Sequence, residues 1–189
     1  MGVDQKCVLV NKYIVTAEDI YHYKLMTAQG FEYKLMIDDL PSATITHVKG
    51  DATNDFAQIA YTDGIPVIDF SAIKDGDKHA VEKKFNLKLY NHLHFIIETH
   101  ETVEGSKRIV GFDVEPMSID WGYSTPCSYS SKSGENSVHE AQNELGFRTV
   151  EEDFSVDFTY SVEFKSSELT WAHRLDHYKK LGNENIHHS

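Results

Sequence analysis

The sequence lacks the features that would place it directly in a specialised class. It has two cysteines and four prolines among 189 residues, and a chain this long can bury roughly 70% of its unfolded surface without a metal or disulfide to hold it together. The longest apolar runs, such as residues 95–97, fall far short of the roughly 20 residues that cross a bilayer. Residues 1–4 have neither the basic nor the apolar region of a signal peptide. Taken alone, these absences favour a cytosolic protein.

Positive charge is also scarce, since 18 basic residues face 30 acidic ones and the net charge is −12. Nucleic acid and anionic lipid would both repel such a chain, so we expect neither as a partner. No Gly-x-Ser-x-Gly elbow, phosphate-binding glycine loop or His-Glu-x-x-His motif occurs. The densest acidic run, residues 151–153, singles out no acid–base pair. The sequence therefore predicts a protein that is not an enzyme, with no cofactor and no bound metal.

What the chain does have is apolar and aromatic content, at 40% and 12% of residues, which predicts a packed core. Thr16 and Asp19 have the spacing of a capping box, with Asp in place of the usual Glu. A stripe at helical spacing follows, and Gly30 is a typical stop, so we predict a short helix between them. The stripe consists of Ala17, Tyr21, Leu25 and Ala28.

After Gly30 the apolar period changes from helical to two, which is typical of half-buried strands. The clearest alternation runs through residues 154–164. A hairpin is predicted from two strands, residues 93–98 and 108–114, joined across Gly105. Further strands are predicted at residues 31–37, 43–48, 57–61, 66–70 and 85–89, and residues 118–136 read as a surface loop. This pattern predicts a mainly β domain, an antiparallel β-sandwich resembling a jelly roll, with one or two short helices.

Eleven histidines raise the possibility of a metal or pH-sensing site. His92 and His94 lie two apart on a predicted strand and would share a face, with His100 or His79 as a third zinc ligand. The alternative is that both histidines lie on a solvated surface, which we favour over a metal site. Because histidine titrates between neutral and endosomal pH, His92 and His94 are also candidates for pH sensing.

Several motifs in series resemble those of the nonaspanins, the transmembrane 9 superfamily, in the domain that precedes the membrane spans. Together they extend over nearly the whole chain. They are residues 91–95 (NHLHF), 108–119 (RIVGFDVEPMSI), 158–162 (FTYSV) and 171–178 (WAHRLDHY), with earlier matches at 39–41 (DLP) and 64–66 (GIP).

The resemblance implies that residues 1–189 form a single lumenal or extracellular domain that ends before the first transmembrane span. It implies residence at Golgi, endosomal or plasma membranes and a non-catalytic role in sorting and surface localisation of membrane proteins and in cell adhesion. The implied partners are membrane-protein cargo, other lumenal proteins and the chain's own transmembrane domain. A carbohydrate- or lipid-binding β-sandwich is the alternative, and a hydrolase with an unrecognised site is a further one.

The resemblance also suggests roles for two groups of residues. In an oxidising lumen Cys7 and Cys127 could form a disulfide, which we state as a hypothesis. Trp171, Leu175 and Tyr178 follow helical spacing and could lie close to the membrane, where aromatic side chains suit the headgroup region. The same face could instead pack on the sandwich.

Overall fold

The computed structural model describes residues 2–48, 58–62, 64–69, 87–119, 146–147, 153–176 and 178. Within these ranges, one α-helix, α1 (Ala17–Ala28), and one 3-10 helix (Trp171–His173) accompany thirteen strands. No helix in these ranges is both long and apolar enough to cross a membrane. The strands are β1 (Gln5–Val15), β2 (Glu32–Tyr33), β3 (Met36–Ile37), β4 (Leu40–Pro41), β5 (Ala43–Val48), β6 (Gln58–Thr62), β7 (Ile65–Pro66), β8 (Ile68–Asp69), β9 (Leu87–Leu89), β10 (His92–Glu101), β11 (Lys107–Met117), β12 (Gly146–Phe147) and β13 (Phe154–Ser166).

A six-stranded sheet in the order β1-β13-β10-β11-β5-β6 dominates the fold. The predicted mainly β class is confirmed. Two pairings in this sheet are parallel, β10 with β13 and β11 with β5, which differs from the purely antiparallel arrangement that we expected. Parallel neighbours need a long crossover, and 52 residues separate β10 from β13 along the chain. Sequence alternation shows that strands form, but it does not show which strands lie side by side.

The start of α1 follows the capping-box prediction. The Thr16 hydroxyl accepts a hydrogen bond from the Asp19 amide at 3.2 Å, and the Asp19 carboxylate accepts one from the Thr16 amide at 2.9 Å. The bond from the Thr16 amide favours the charged carboxylate and so lowers the pKa of Asp19. Ile20 and Tyr23 then pack the helix against a core cluster that includes Val15.

The segment after α1 departs from the single strand predicted for residues 31–37. It forms two short strands, β2 and β3, and β3 folds back onto β4. Asp38 and Asp39 connect β3 to β4 with φ angles of 48° and 60°. These are the left-handed values that a two-residue type I′ hairpin requires. Asp tolerates this conformation better than most residues. The predicted loop at 118–136 lies, after Ile119, outside the described residues.

Apolar residues from β10, β11 and β13 share one face of the large sheet. Ile97, Phe112 and Val114 are buried there against Leu40 and Ile65, which belong to the short strands. The Phe95 and Phe112 rings are stacked at 6.1 Å. The short strands thus form a second layer over the sheet.

Phe112→Ala should lower the free energy of unfolding by about 3 to 5 kcal/mol, because it removes a buried aromatic ring and leaves a cavity. Chemical denaturation followed by circular dichroism measures the change. Val103→Ala is the matched control, since Val103 lies fully exposed at the hairpin tip and should change stability by less than about 0.5 kcal/mol. Equal effects of the two substitutions would contradict this core.

Candidate functional site

The opposite face of the sheet carries polar side chains. Its strand register places His92 beside Thr159 and His94 beside Ser161 on β13, while His94 is also beside Glu115 on β11. His92 is fully buried, and Thr159, Ser161 and Glu115 are each at most 5% exposed. His92 and His94 are therefore not the solvated surface pair that the sequence favoured.

A chain of hydrogen bonds connects the two histidines through one hydroxyl. The Ser161 oxygen lies 3.0 Å from Nε2 of His92 and 2.7 Å from Nδ1 of His94. At one end of the chain, Nδ1 of His92 lies 2.7 Å from the Thr159 hydroxyl. At the other end, Nε2 of His94 lies 3.5 Å from a carboxylate oxygen of Glu163. We refer to these five residues as the histidine network.

The chemistry of the groups gives the neutral network a direction. The Glu163 carboxylate can only accept, so it favours a proton on Nε2 of His94. Nδ1 of His94 then accepts from Ser161, whose oxygen accepts from Nε2 of His92. The Thr159 hydroxyl completes the series by donating to Nδ1 of His92. Every donor in the neutral network thus faces an acceptor.

A second proton on His94 would reverse every bond upstream of it. Nδ1 of His94 would become a donor to Ser161, whose hydroxyl proton could then be donated to Nε2 of His92. His92 would then carry its proton on Nδ1 and donate to Thr159. One added proton on His94 therefore favours the other tautomer of a fully buried ring, because Ser161 would otherwise accept from both histidines and its own hydroxyl proton would have no acceptor within the network.

Charged side chains of both signs lie near His94. Glu163 on β13 and Glu115 on β11 bring negative charge. Lys165 lies 3.4 Å from the same Glu163 oxygen and partly neutralises it. Asp113 lies on the same face two residues before Glu115. His94 is the more accessible histidine, with a side chain 19% exposed, so it is the one placed to exchange protons with solvent.

Asn91 fixes the start of β10 next to this network. Its side-chain amide donates to the carbonyls of Ile119, at 2.9 Å, and Asp157, at 3.2 Å. Its side-chain oxygen accepts from the Ile119 amide at 2.8 Å. These three bonds join the chain just beyond β11 to β13 across the start of β10, so Asn91 holds the strand that carries both histidines in register.

Ser161, His94 and Glu163 are the residue types of a hydrolytic triad. Ser161, however, is 3% exposed, and its oxygen contacts both imidazoles. A substrate carbonyl could reach this oxygen only if the covering residues moved away. We therefore describe the group as a buried hydrogen-bond network. His100 does not join it, because its Nδ1 lies 3.0 Å from the Ser167 carbonyl, and His79 lies outside the described residues.

Within the described ranges, no group of three or more His, Cys, Asp or Glu side chains could hold a metal ion. Cys7 takes part in a disulfide bond. Cys127 is the other cysteine of the sequence and lies outside the described residues, so the pairing of Cys7 with Cys127 stays a prediction.

Trp171, Leu175 and Tyr178 have different surroundings. Trp171 is 40% exposed, and its ring is flanked by the guanidinium groups of Arg174, at 3.8 Å, and Arg108, at 5.5 Å. Leu175 is exposed. Tyr178 packs against the apolar cluster of the sheet, and burial raises the pKa of its hydroxyl to about 12. The placement of these three residues near a membrane stays a prediction.

Comparison with known proteins identifies the family. A family model described as endomembrane protein 70 matches residues 1–189. The chain belongs to this family. It is 28% identical to transmembrane 9 superfamily member 10 of Arabidopsis thaliana, over 99% of this chain, and 28% identical to member 1 of Saccharomyces cerevisiae, over 93%. The resemblance to nonaspanins is confirmed.

This member of the endomembrane protein 70 family spans only 28% and 27% of the length of those two relatives. A further relative, transmembrane 9 superfamily member 4 of Rattus norvegicus, is 32% identical over 52% of the chain and 16% of its own length. No solved structure matches. The comparisons therefore identify a membrane-protein family and assign no role to the histidine network.

Sequence reasoning identified both histidines but missed their hydroxyl partners. Thr159 and Ser161 occupy the polar positions of the alternating strand β13, and the motif FTYSV contains both. Alternation predicts that they share a face, but only the parallel register places that face against His92 and His94. Asn91 is likewise part of a quoted motif, and its contact with Ile119 could not be foreseen.

Ser161→Ala should uncouple the two histidines of this endomembrane protein 70 domain. In the intact chain, long-range proton–nitrogen NMR spectra of the rings should show His92 changing tautomer over the same pH interval in which His94 gains its proton. Without the Ser161 hydroxyl the tautomer of His92 should no longer follow, and stability should fall by about 1 to 3 kcal/mol. Ser155→Ala is the control, because Ser155 is an exposed residue on the same face of β13. It should neither uncouple the His92 tautomer from His94 nor lower the stability. A His92 tautomer unchanged throughout the titration of the intact chain would contradict the network.

Asn91→Ala should destabilise the domain by roughly 3 kcal/mol, because it removes three hydrogen bonds and leaves buried main-chain groups of Ile119 without a partner. Denaturant unfolding measures the loss, and Asn11→Ala on exposed β1 is the control. A difference between the two below about 0.5 kcal/mol would show that Asn91 does not hold the sheet together.

Proposed function

We propose that this chain is the non-catalytic lumenal domain of a nonaspanin and that it takes part in sorting other membrane proteins or delivering them to the cell surface. The observation that carries the proposal is the match of the whole chain to endomembrane protein 70, together with relatives named as transmembrane 9 superfamily members. The disulfide at Cys7 supports an oxidising compartment such as the Golgi or endosomal lumen.

The proposal includes a response to lumenal pH. An unperturbed histidine titrates near pH 6.5. This value lies between the pH of the early compartments and that of the late compartments in the secretory and endosomal pathways. His94 is partly accessible and connected to buried His92 through Ser161. Acidification would therefore act on the interior of the sheet through one proton, which is a local event of the kind that pH sensors use.

The orientation can be tested with a single substitution, because Glu104 precedes Gly105 and Ser106 at the exposed hairpin tip. Glu104→Asn creates a glycosylation sequon there. In the full-length protein expressed in animal or yeast cells, we expect a gel-mobility shift that an endoglycosidase reverses. The double change Glu104→Asn with Ser106→Ala destroys the sequon and should remove the shift.

Absence of the shift, in cells that glycosylate a known lumenal protein normally, would place the hairpin on the cytosolic side and overturn the proposal. Fractionation of the same cells shows whether the protein resides with Golgi and endosomal markers. Enrichment in a different organelle would contradict the proposed compartments while leaving the lumenal orientation intact.

A further inference from the structure

β1 forms one edge of the six-stranded sheet, and among the described residues it pairs only with β13. It is 11 residues long, about twice the usual strand length. Several of its solvent-exposed side chains are apolar. Leu9, Val10 and Ile14 each have a relative exposure of 49% or more. An edge of this length and composition is a template for a further strand, since no strand among the described residues lies beyond it to bond its outward N–H and C=O groups, although the Lys12 amide donates to the Asn11 side chain at 2.9 Å.

The edge is regular over only part of its length. The pairing with β13 shifts between Gln5 and Val8 and again between Leu9 and Asn11. From Asn11 to Val15 the register runs without interruption. Such irregularities bend an edge and limit indiscriminate pairing. The uninterrupted segment therefore defines where an additional strand can align.

One face of this edge presents a simple pattern. Leu9, Lys12 and Ile14 are in register with Thr159, Asp157 and Ser155, which are alternate residues of β13, so they point to the same side. This is also the side that carries the histidine network. No salt bridge within the described residues joins Lys12 to Asp157. The face thus offers two apolar side chains with an ammonium group between them.

Charge decides which strand this edge would accept. β1 contains Lys6 and Lys12 and no acidic residue, although the chain carries a net charge of −12. A second copy would bring the same two lysines to the interface and another −12 of charge. Like charges opposed across strands are destabilising, and net charge of one sign opposes self-association. The edge therefore disfavours its own copy and suits a segment with carboxylates.

We infer that the β1 edge binds an extended segment of another protein, one with alternating apolar side chains and an acidic residue opposite Lys12. Main-chain hydrogen bonds along residues 11–15 supply affinity, and the Lys12 and Ile14 side chains supply selectivity, with Leu9 adding apolar surface just beyond this segment. This inference rests on the proposed function and deepens it, since it states how a partner protein is held.

The test uses a fluorescent nine-residue peptide of alternating valine and threonine with one central glutamate, and a matched peptide with lysine at that position. Fluorescence anisotropy with the 189-residue chain should show tighter binding of the glutamate peptide. Lys12→Glu should weaken binding of the glutamate peptide roughly three- to tenfold, as expected for an exposed charge pair changed to repulsion. The variant should then bind the lysine peptide more tightly than the glutamate peptide. Lys107→Glu, an exposed lysine on interior strand β11, should leave both affinities within about twofold.

Hydrogen–deuterium exchange locates the bound peptide independently of the variants. Slower exchange of amides in residues 9–15 on addition of the glutamate peptide would support the inference. Protection confined to other strands would overturn it, and so would equal affinity of both peptides for the original chain and for Lys12→Glu. Lys12 is exposed, so the substitution should preserve the circular dichroism spectrum.

A cell experiment separates this inference from the function on which it rests. Cells lacking the full-length protein are complemented with the original sequence, Lys12→Glu or Lys107→Glu, and surface proteins are quantified after biotinylation. If loss of the protein changes no surface amounts, the sorting function is wrong, whatever the peptide result. If loss reduces specific proteins and Lys12→Glu restores them fully, the sorting function stands and the edge inference is wrong. We expect the original sequence and Lys107→Glu to restore the surface amounts of these proteins, and Lys12→Glu not to restore them.

Discussion

The parallel pairing of β10 with β13 is the constraint on which the rest of this structure depends. It runs in continuous register from His92 beside Thr159 to Thr99 beside Ser166. Because side chains alternate along a strand, this one register directs Phe95 and Ile97 to the apolar layer and both histidines to the polar face. A shift by one residue would bury His94 among phenylalanines and remove its contact with Ser161.

Burial of the polar face requires that register to be maintained. Unbonded polar groups in a protein interior cost several kcal/mol, whereas a network in which each donor meets an acceptor removes most of that cost. His92 has a hydroxyl at both ring nitrogens, and Asn91 uses its side-chain oxygen and amide nitrogen in bonds to main-chain groups. Such groups favour one alignment of the strands, since any other leaves them unpaired. The side chains that specify the register are thus the same ones that the proposed response to pH would use.

The features that sequence predicts here are local, and those that it misses are not. Thr16 and Asp19 predict the helix start because both bonds form within four residues. The hairpin around Gly105, with its φ of 77°, and the alternation of β13 are equally local. The partner of β13 is different, since His92 and Thr159 are 67 residues apart, and alternation is compatible with several strand orders. β1 escaped prediction because apolar residues lie on both of its faces, as they do at Tyr13 and Ile14.

Strand β13 connects the β1 edge to the histidines. Leu9 on β1 is in register with Thr159, which is in register with His92, so the row from the edge to the buried ring contains only one intervening residue. A strand bound at the edge would hold β13 from one side, while a change of His92 tautomer would alter its hydrogen bond to Thr159 from the other. If strand binding favours one position of Thr159 and the tautomer change of His92 favours another, the two events are linked. Linkage requires that each change the free energy of the other by the same amount. A compartment of lower pH would then release a partner without any contact between that partner and a histidine.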